Sequence, residues 1–426
     1  MWLHTPMSRQ VDEDDEAIEP DADDYEPPLF ELETAGSETE GDIENPQDIH
    51  YNDVVLAPSD WTVETILSQL KSGSFELDPD FQRRNAWTDI RKSKFIESLM
   101  LGLPIPQIVF AERDEDDEFN ARYVVIDGKQ RLLTLDAFYS ESSPLRLQGL
   151  TVLPQLNGMT RSEAADDPSV SRYIRRLANR TIRTVVIRRW PDDSFLHLVF
   201  HRINHQTLAL SAQELRQALQ PGRFTKFADI FAGSSSQLHD ILGATQRPDF
   251  RMRDVELLVR FMAYRFRLSH YKGNLKKFLD ETCKEFNSAW PSMEQEITES
   301  AIACNAAIDS TRKIFGNRAF RRFTENGTWE TRFNRAVFDA MLYYFADPNV
   351  ATEAESKSGD VLAAYELLSA EDRRFTQSLA LSTKTVQATE YRLEAWGRTL
   401  QSVLSVELSI PTLSANGRSI IVGEGD

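Results

Sequence analysis

Apolar positions recur along this chain in two rhythms, alternating or continuous over short runs and then every third or fourth residue. They predict an α+β fold in which a mixed region is followed by an almost wholly helical one. Thr62, Ile66 and Leu70 stand at helical spacing and predict a helix over 59–73, stopped by Gly73; 75–87 reads as extended or turn, and 90–101 as a helix ended by Gly102. The runs 107–111 and 123–126, rich in β-branched and aromatic residues, predict buried strands flanking an acidic loop or hairpin over 112–118. A third strand over 181–187 precedes a helix over 195–204. Ser211-Ala-Gln-Glu214 is a capping box that opens the next helix. Beyond it the pattern predicts helices over 254–268, 274–288, 293–315, 329–345, 360–367 and 384–404, with loops at 323–327 and 347–359, the second polar enough to be mobile.

Charge changes the picture at one end. Of 426 residues with a formal net charge of −19, residues 11–50 hold 17 Asp and Glu and no Lys or Arg, and Arg9 is the one basic residue before them. Residues 1–50 thus carry 16 of the 19 net negative charges, and the acidic balance describes this segment, not the body. So acidic and proline-punctuated a stretch cannot bury enough apolar surface to offset its ordering entropy, which predicts a disordered acidic tail over 1–49. Such a tail is a solubilising arm, a nucleic-acid mimic that competes for a cationic site, or a partner-binding segment built around Tyr25 to Leu32. The remaining expectation is three further segments: 50–210 as the mixed domain, 211–410 as the helical domain, and 411–426 as a flexible C-terminal tail. Cys283 and Cys304 have neither a disulfide framework nor zinc spacing, which predicts a reducing, cytoplasmic setting. No run approaches the roughly 18 apolar residues needed to span a bilayer, so no membrane partner is expected.

The most informative chemistry lies where the strand at 123–126 runs through Asp127-Gly128 into a helix. The first turn of any helix leaves backbone N–H groups unpaired, and the macrodipole adds partial positive charge. Gly128 removes the Cβ that would obstruct an approaching anion, and Lys129 and Arg131 add cationic donors, the latter a fork suited to phosphate. Asp127 would hold magnesium, orient a water or cap the helix. The plainer reading is an Asp-Gly turn whose Asp caps the helix while Lys129 and Arg131 point into water. A Walker phosphate loop is excluded, because Gln130 follows Lys129 and the second glycine is missing.

Three segments taken together carry a resemblance. Asp127-Gly128-Lys129-Gln130-Arg131 differs only at its third position from Asp-Gly-Gln-Gln-Arg, Phe81-Gln82-Arg83 is followed by Trp87, and Asn204 is followed by Leu210 to Arg216 with Leu-Ser-x-x-Glu-Leu-Arg character. In this order and spacing they resemble the N-terminal domain family of GmrSD-type modification-dependent restriction enzymes, strongly over 51–220 and more loosely beyond. The resemblance implies a ParB/sulfiredoxin-like core that binds a nucleoside triphosphate, of a base the chain does not specify, with magnesium as a further cofactor. It implies binding through Gln82, Arg83, Gly128, Lys129, Gln130, Arg131 and Thr134, with Asn204 either joining them or locking a helix terminus. Catalysis would rest on Asp127, which also positions metal or water, and on Arg131, which stabilises phosphate charge. Many relatives end in a nuclease domain with an Asp-His-Ile-x-Pro type signature of the HNH class. None occurs here, and Leu238-His239-Asp240-Ile241 has acid and base reversed.

Other candidates are weighed against plainer roles. His201 and His205 stand four apart, as metal ligands on one helix face would, but no third ligand is placed by the sequence, which favours packing or solvated histidines. Glu353-Ala-Glu355-Ser-Lys357 resembles part of a nuclease carboxylate–lysine motif by chance composition. Arg172, Arg175 and Arg176 head the densest basic region, with a smaller one at Arg318, Arg321 and Arg322; these bind nucleic acid or neutralise the chain's own carboxylates. Two functions follow. One is an NTP-dependent protein of bacterial genome defence whose nucleotide state controls DNA processing; the other is a non-catalytic nucleotide sensor working with a separately encoded nuclease subunit.

Overall fold

The computed structural model describes residues 53–75, 87–113, 122–203, 211–243, 248–249, 251–380 and 384–423, all within one compact unit spanning 34–426. The chain is α+β, with a small mixed sheet followed by a mostly helical region. No helix among the described residues is long and apolar enough to cross a membrane.

Four strands make the sheet: β1 (Val55–Thr62), β2 (Ile108–Glu112), β3 (Tyr123–Asp127) and β4 (Thr181–Arg188), in the order β1-β4-β2-β3. The β1–β4 and β2–β3 pairs are antiparallel, and β2 runs parallel to β4. Side chains alternate across a strand, and here both faces are covered. Ile108, Phe110, Tyr123 and Val125 enter one apolar cluster while Val109, Ala111, Val124 and Ile126 enter another, which is why these strands read as continuous apolar runs. The first cluster is closed by α1 (Val63–Lys71), α2 (Asp89–Leu101), α3 (Lys129–Tyr139) and α5 (Ser171–Ala178), with the short α4 (Arg161–Asp166) beside α5. The second is closed by α6 (Asp193–Ile203) and α7 (Ala212–Leu219), through Phe195, Leu196, Leu198, Phe200 and Leu215.

Several expectations are corrected. The helix expected from residue 59 begins at Val63, because 55–62 pairs with β4 as an edge strand, where Pro58 is tolerated, and Thr62 caps the helix by accepting from Thr65 N at 3.0 Å. The two helices expected over 274–288 and 293–315 are one, α11 (Leu275–Phe315), which continues through Pro291. The lost helical bond costs about 3 kcal/mol, offset by the burial of Trp290, Ile297, Ala301 and Cys304 along its length. The loop expected over 347–359 contains α13 (Pro348–Ser356): Asp347 accepts from Asn349 N at 2.8 Å and Pro348 occupies its first position. Where a flexible tail was expected from 411, Thr412–Leu413 and Ile420–Ile421 form the antiparallel hairpin β5–β6, and Ile420 is buried.

The helical region also contains α8 (Arg223–Ser234), α9 (Ser236–Ile241), α10 (Arg253–Arg267), α12 (Arg335–Phe345), α14 (Ser358–Glu371), α15 (Arg373–Ala380) and α16 (Val386–Leu404). They enclose the largest apolar cluster, and within it lies a buried ionic network. Arg260 donates to Asp339 at 3.1 Å, Arg392 lies 3.7 Å from the same carboxylate, and Arg335 donates to Glu256 at 2.9 Å.

Candidate functional site

Gly128 joins β3 to α3 with φ +101°, a conformation that favours glycine, and serves as the helix N-cap without any side-chain cap. Ideal Cβ geometry there would come 3.0 Å from Ile108 and 3.2 Å from Arg131 Nε, so the corner is tight as well as left-handed. Asp127 does not cap the helix. Its Oδ2 accepts from Arg131 Nη2 at 2.9 Å, with the two side chains only 17% and 10% exposed.

Neither cation points into water, contrary to the plainer reading of the sequence. Arg131 and Lys129 are both buried, and Lys129 Nζ donates to Glu214 Oε1 at 3.2 Å. Two buried cations in the first turn of a helix work against its macrodipole, so the carboxylates of Asp127 and Glu214 supply the anionic charge the corner needs. That balance leaves two atoms over. Arg131 Nε and Gln130 Oε1 are buried and have no hydrogen-bond partner among the described residues. The first is an N–H aimed beside an uncapped helix terminus, the chemistry that an oxyanion satisfies.

Glu214 is the residue that sequence reasoning left as a structural cap. It does complete the capping box of α7, accepting from Ser211 N at 2.6 Å, and its other oxygen takes Lys129, so one carboxylate ties the start of α7 to the start of α3. The signal was present in its place three residues after Ser211; what was invisible was the partner 85 residues away. Two residues on, Arg216 is fully buried and donates to Asp280 Oδ1 of α11 at 2.7 Å, extending the connection into the helical region. Burial alone would raise the Asp280 carboxyl, but the charges of Arg216, His197 and Lys276 hold it down at about 2. Arg251 lies close enough to feel Glu214: burial lowers its guanidinium below the ordinary value, with Glu214 and Asp249 acting the other way.

The structure brings Asp127, Gly128, Lys129, Gln130 and Arg131 together at one corner. Thr134 is fully buried one turn further on, donating to Gln130 O at 2.6 Å. Gln82, Arg83, Asn204, His205 and the His201 side chain lie outside the described residues, as does the acidic segment 1–49. Trp87 packs edge-on against Phe95, ring centroids 5.7 Å apart. Among the described residues no group of three His, Cys, Asp or Glu is placed to hold a metal. Magnesium keeps several waters and takes one or two carboxylates plus phosphate oxygens, so Asp127 fits it only alongside a polyphosphate.

The weaker strings resolve into structure. His239 and Asp240 face different neighbours, Asp254 at 3.6 Å and Arg312 at 2.7 Å. Glu355 accepts from Ser310 and Lys313, while Lys357 Nζ donates to the carbonyls of Val403 and Leu404 at the end of α16. Cys283 and Cys304 are both buried, and burial pushes the Cys304 thiol up. Of the basic clusters, Arg318 and Arg322 are neutralised by Glu366 and Glu330, at 3.3 and 3.0 Å. Arg172, Arg175 and Arg176 are exposed on α5. A separate cleft of about 630 Å³ in the helical region, bordered by Phe261, Arg265, Tyr343 and Glu407, shares no residue with the corner.

No curated protein and no solved structure matches the chain. A family model does, over 63–220, a span that runs from the first residue of α1 to the residue after α7 and so takes in β2, β3, β4, the corner and Glu214. Residues 63–220 match the family model described as GmrSD restriction endonuclease, N-terminal domain.

Proposed function

We propose that the Gly128 corner binds the polyphosphate of a nucleoside triphosphate, with hydrolysis there controlling nucleic-acid processing in a restriction-type defence. The observation that carries this reading is the buried Arg131 Nε, without a partner among the described residues, beside a helix N-terminus that has no side-chain cap among them. A phosphate oxygen satisfies that donor, takes first-turn amides and adds negative charge where two cations already oppose the macrodipole. Asp127, released from Arg131, then serves magnesium or a water, and Lys129 and Arg131 stabilise charge as it develops on the transferred group. Gln82, Arg83 and Asn204 belong to this reading on the family resemblance alone.

A specific observation favours a second reading. Asp127 and Arg131 are locked to each other, so an arriving phosphate exchanges one ion pair for another, and that exchange suits a sensor which signals to a separately encoded nuclease without turnover. Phosphate release and equilibrium binding separate the two. ATP, GTP and CTP are offered to the purified chain and to Arg131→Ala and Arg131→Lys, with and without magnesium and DNA. Release lost in both variants supports the hydrolase; binding without release supports the sensor. Equal affinity in wild type and Arg131→Ala overturns both.

A further inference from the structure

The arginines of α5 form a more ordered surface than their spacing in the sequence suggests. Arg172, Arg175 and Arg176 fall on one face of α5, continued by Asn179 at its C-cap and Arg180 just beyond it, while Val170, Ile174 and Leu177 bury the opposite side in the core. The five line an open groove of about 680 Å³, and no carboxylate among the described residues borders it. None of the four guanidinium groups makes an ion pair among the described residues, unlike those of Arg318 and Arg322. Arg180 is set into the surface: a Cβ at Gly102, the C-cap of α2, would lie 2.6 Å from its Cζ, so this glycine makes room for the guanidinium. Its Nε is buried without a partner.

We infer that this face of α5 is a binding surface for the phosphodiester backbone of double-stranded DNA. Eight residues of helix span about 12 Å, along which a duplex presents roughly seven phosphate charges on its two strands, so the three arginines of α5 and Arg180 just beyond it have anions within reach along the whole face. The duplex is favoured over a single strand because the one aromatic ring on this helix is already covered. Arg172 lies 4.8 Å above the Tyr173 ring and donates to its hydroxyl at 3.0 Å, leaving no open platform for an unpaired base. Contacts of this kind carry little sequence information; they hold the duplex while other residues read it. The surface does not depend on the nucleotide reading of the corner.

Fluorescence anisotropy with a labelled 20-base-pair duplex of arbitrary sequence, from 50 to 200 mM KCl, tests the assignment on the full chain. With four phosphate contacts the logarithm of affinity falls against that of salt with a slope of about −3.6. Arg175→Ala with Arg176→Ala makes the slope shallower by about 1.8 and weakens binding about tenfold per arginine. Lys at both positions keeps the slope, and Arg398→Ala, which removes an exposed arginine paired with Glu394, changes nothing. Circular dichroism confirms the fold of each variant, and unchanged nucleotide affinity in the α5 variants separates this surface from the corner. Wild-type affinity in the double alanine variant overturns the inference, as does absence of binding at 50 mM salt or tighter binding to the single strand.

Discussion

Replacing Asp127 by Asn tests whether the corner is a ligand site or a closed structural pair, because the two ideas predict opposite responses to phosphate. The substitution keeps shape and removes charge, leaving Arg131, 10% exposed, in the first turn of α3 without the carboxylate 2.9 Å away. Breaking a mostly buried pair from one side costs about 3 kcal/mol, and the helix dipole adds to the loss because the stranded charge is a cation at the positive end. For a domain the size of 63–220 that is a fall in Tm on the order of 10 °C. In a ligand site, Asp127 also competes with the incoming phosphate for Arg131. Asp127→Asn then binds triphosphate without magnesium more tightly than wild type, and a concentration near one hundred times its Kd returns about 2.7 kcal/mol. Differential scanning fluorimetry in EDTA, with a triphosphate series, reads both effects. A variant that loses stability yet gains no more from triphosphate than wild type does refutes the reasoning, and shows that the pair is only a fastening between β3 and α3.

Three further perturbations follow from the same geometry. Asp280, held down at about 2 against an ordinary 3.8, stabilises the fold fully above pH 4; that contribution, about 2 kcal/mol, fades as pH falls from 4 towards 2, and acid titration of Asp280→Asn should show a shallower loss over this window. An unchanged acid slope would remove Asp280 from the account. Asp339→Ala removes the carboxylate that faces Arg260 and Arg392 inside the helical core and should cost about 3–5 kcal/mol in urea unfolding; a loss under about 1 kcal/mol would mean that water or the remaining partners take its place. Deleting residues 1–49, which carry a net charge of −16, should strengthen duplex binding several-fold at low ionic strength, with the gain vanishing at high salt; equal affinity at low salt defeats the idea of a competing acidic segment.

The candidate site was legible in the sequence as a local event and illegible as an electrostatic one. Asp127-Gly128 after a β-branched run announced the strand-to-helix corner, and the structure has it with Gly128 at φ +101°. Local pattern also marked α2 with its Gly102 cap, strands β2 to β4 and the Ser211 capping box, since each follows from propensity and from chemistry within four residues. Failures came where a distant partner decided. Residues 59–62 became strand because β4 offered its edge, and α11 ran through Pro291 because its apolar face had a core to cover. The sequence alone determined which residues are apolar, which turn and which carry charge, because those properties belong to the residue. Only the tertiary structure decided that Lys129 meets Glu214, that Arg131 turns back to Asp127 and that the α5 arginines have no ion pair among the described residues, because an ion's state depends on what surrounds it in space.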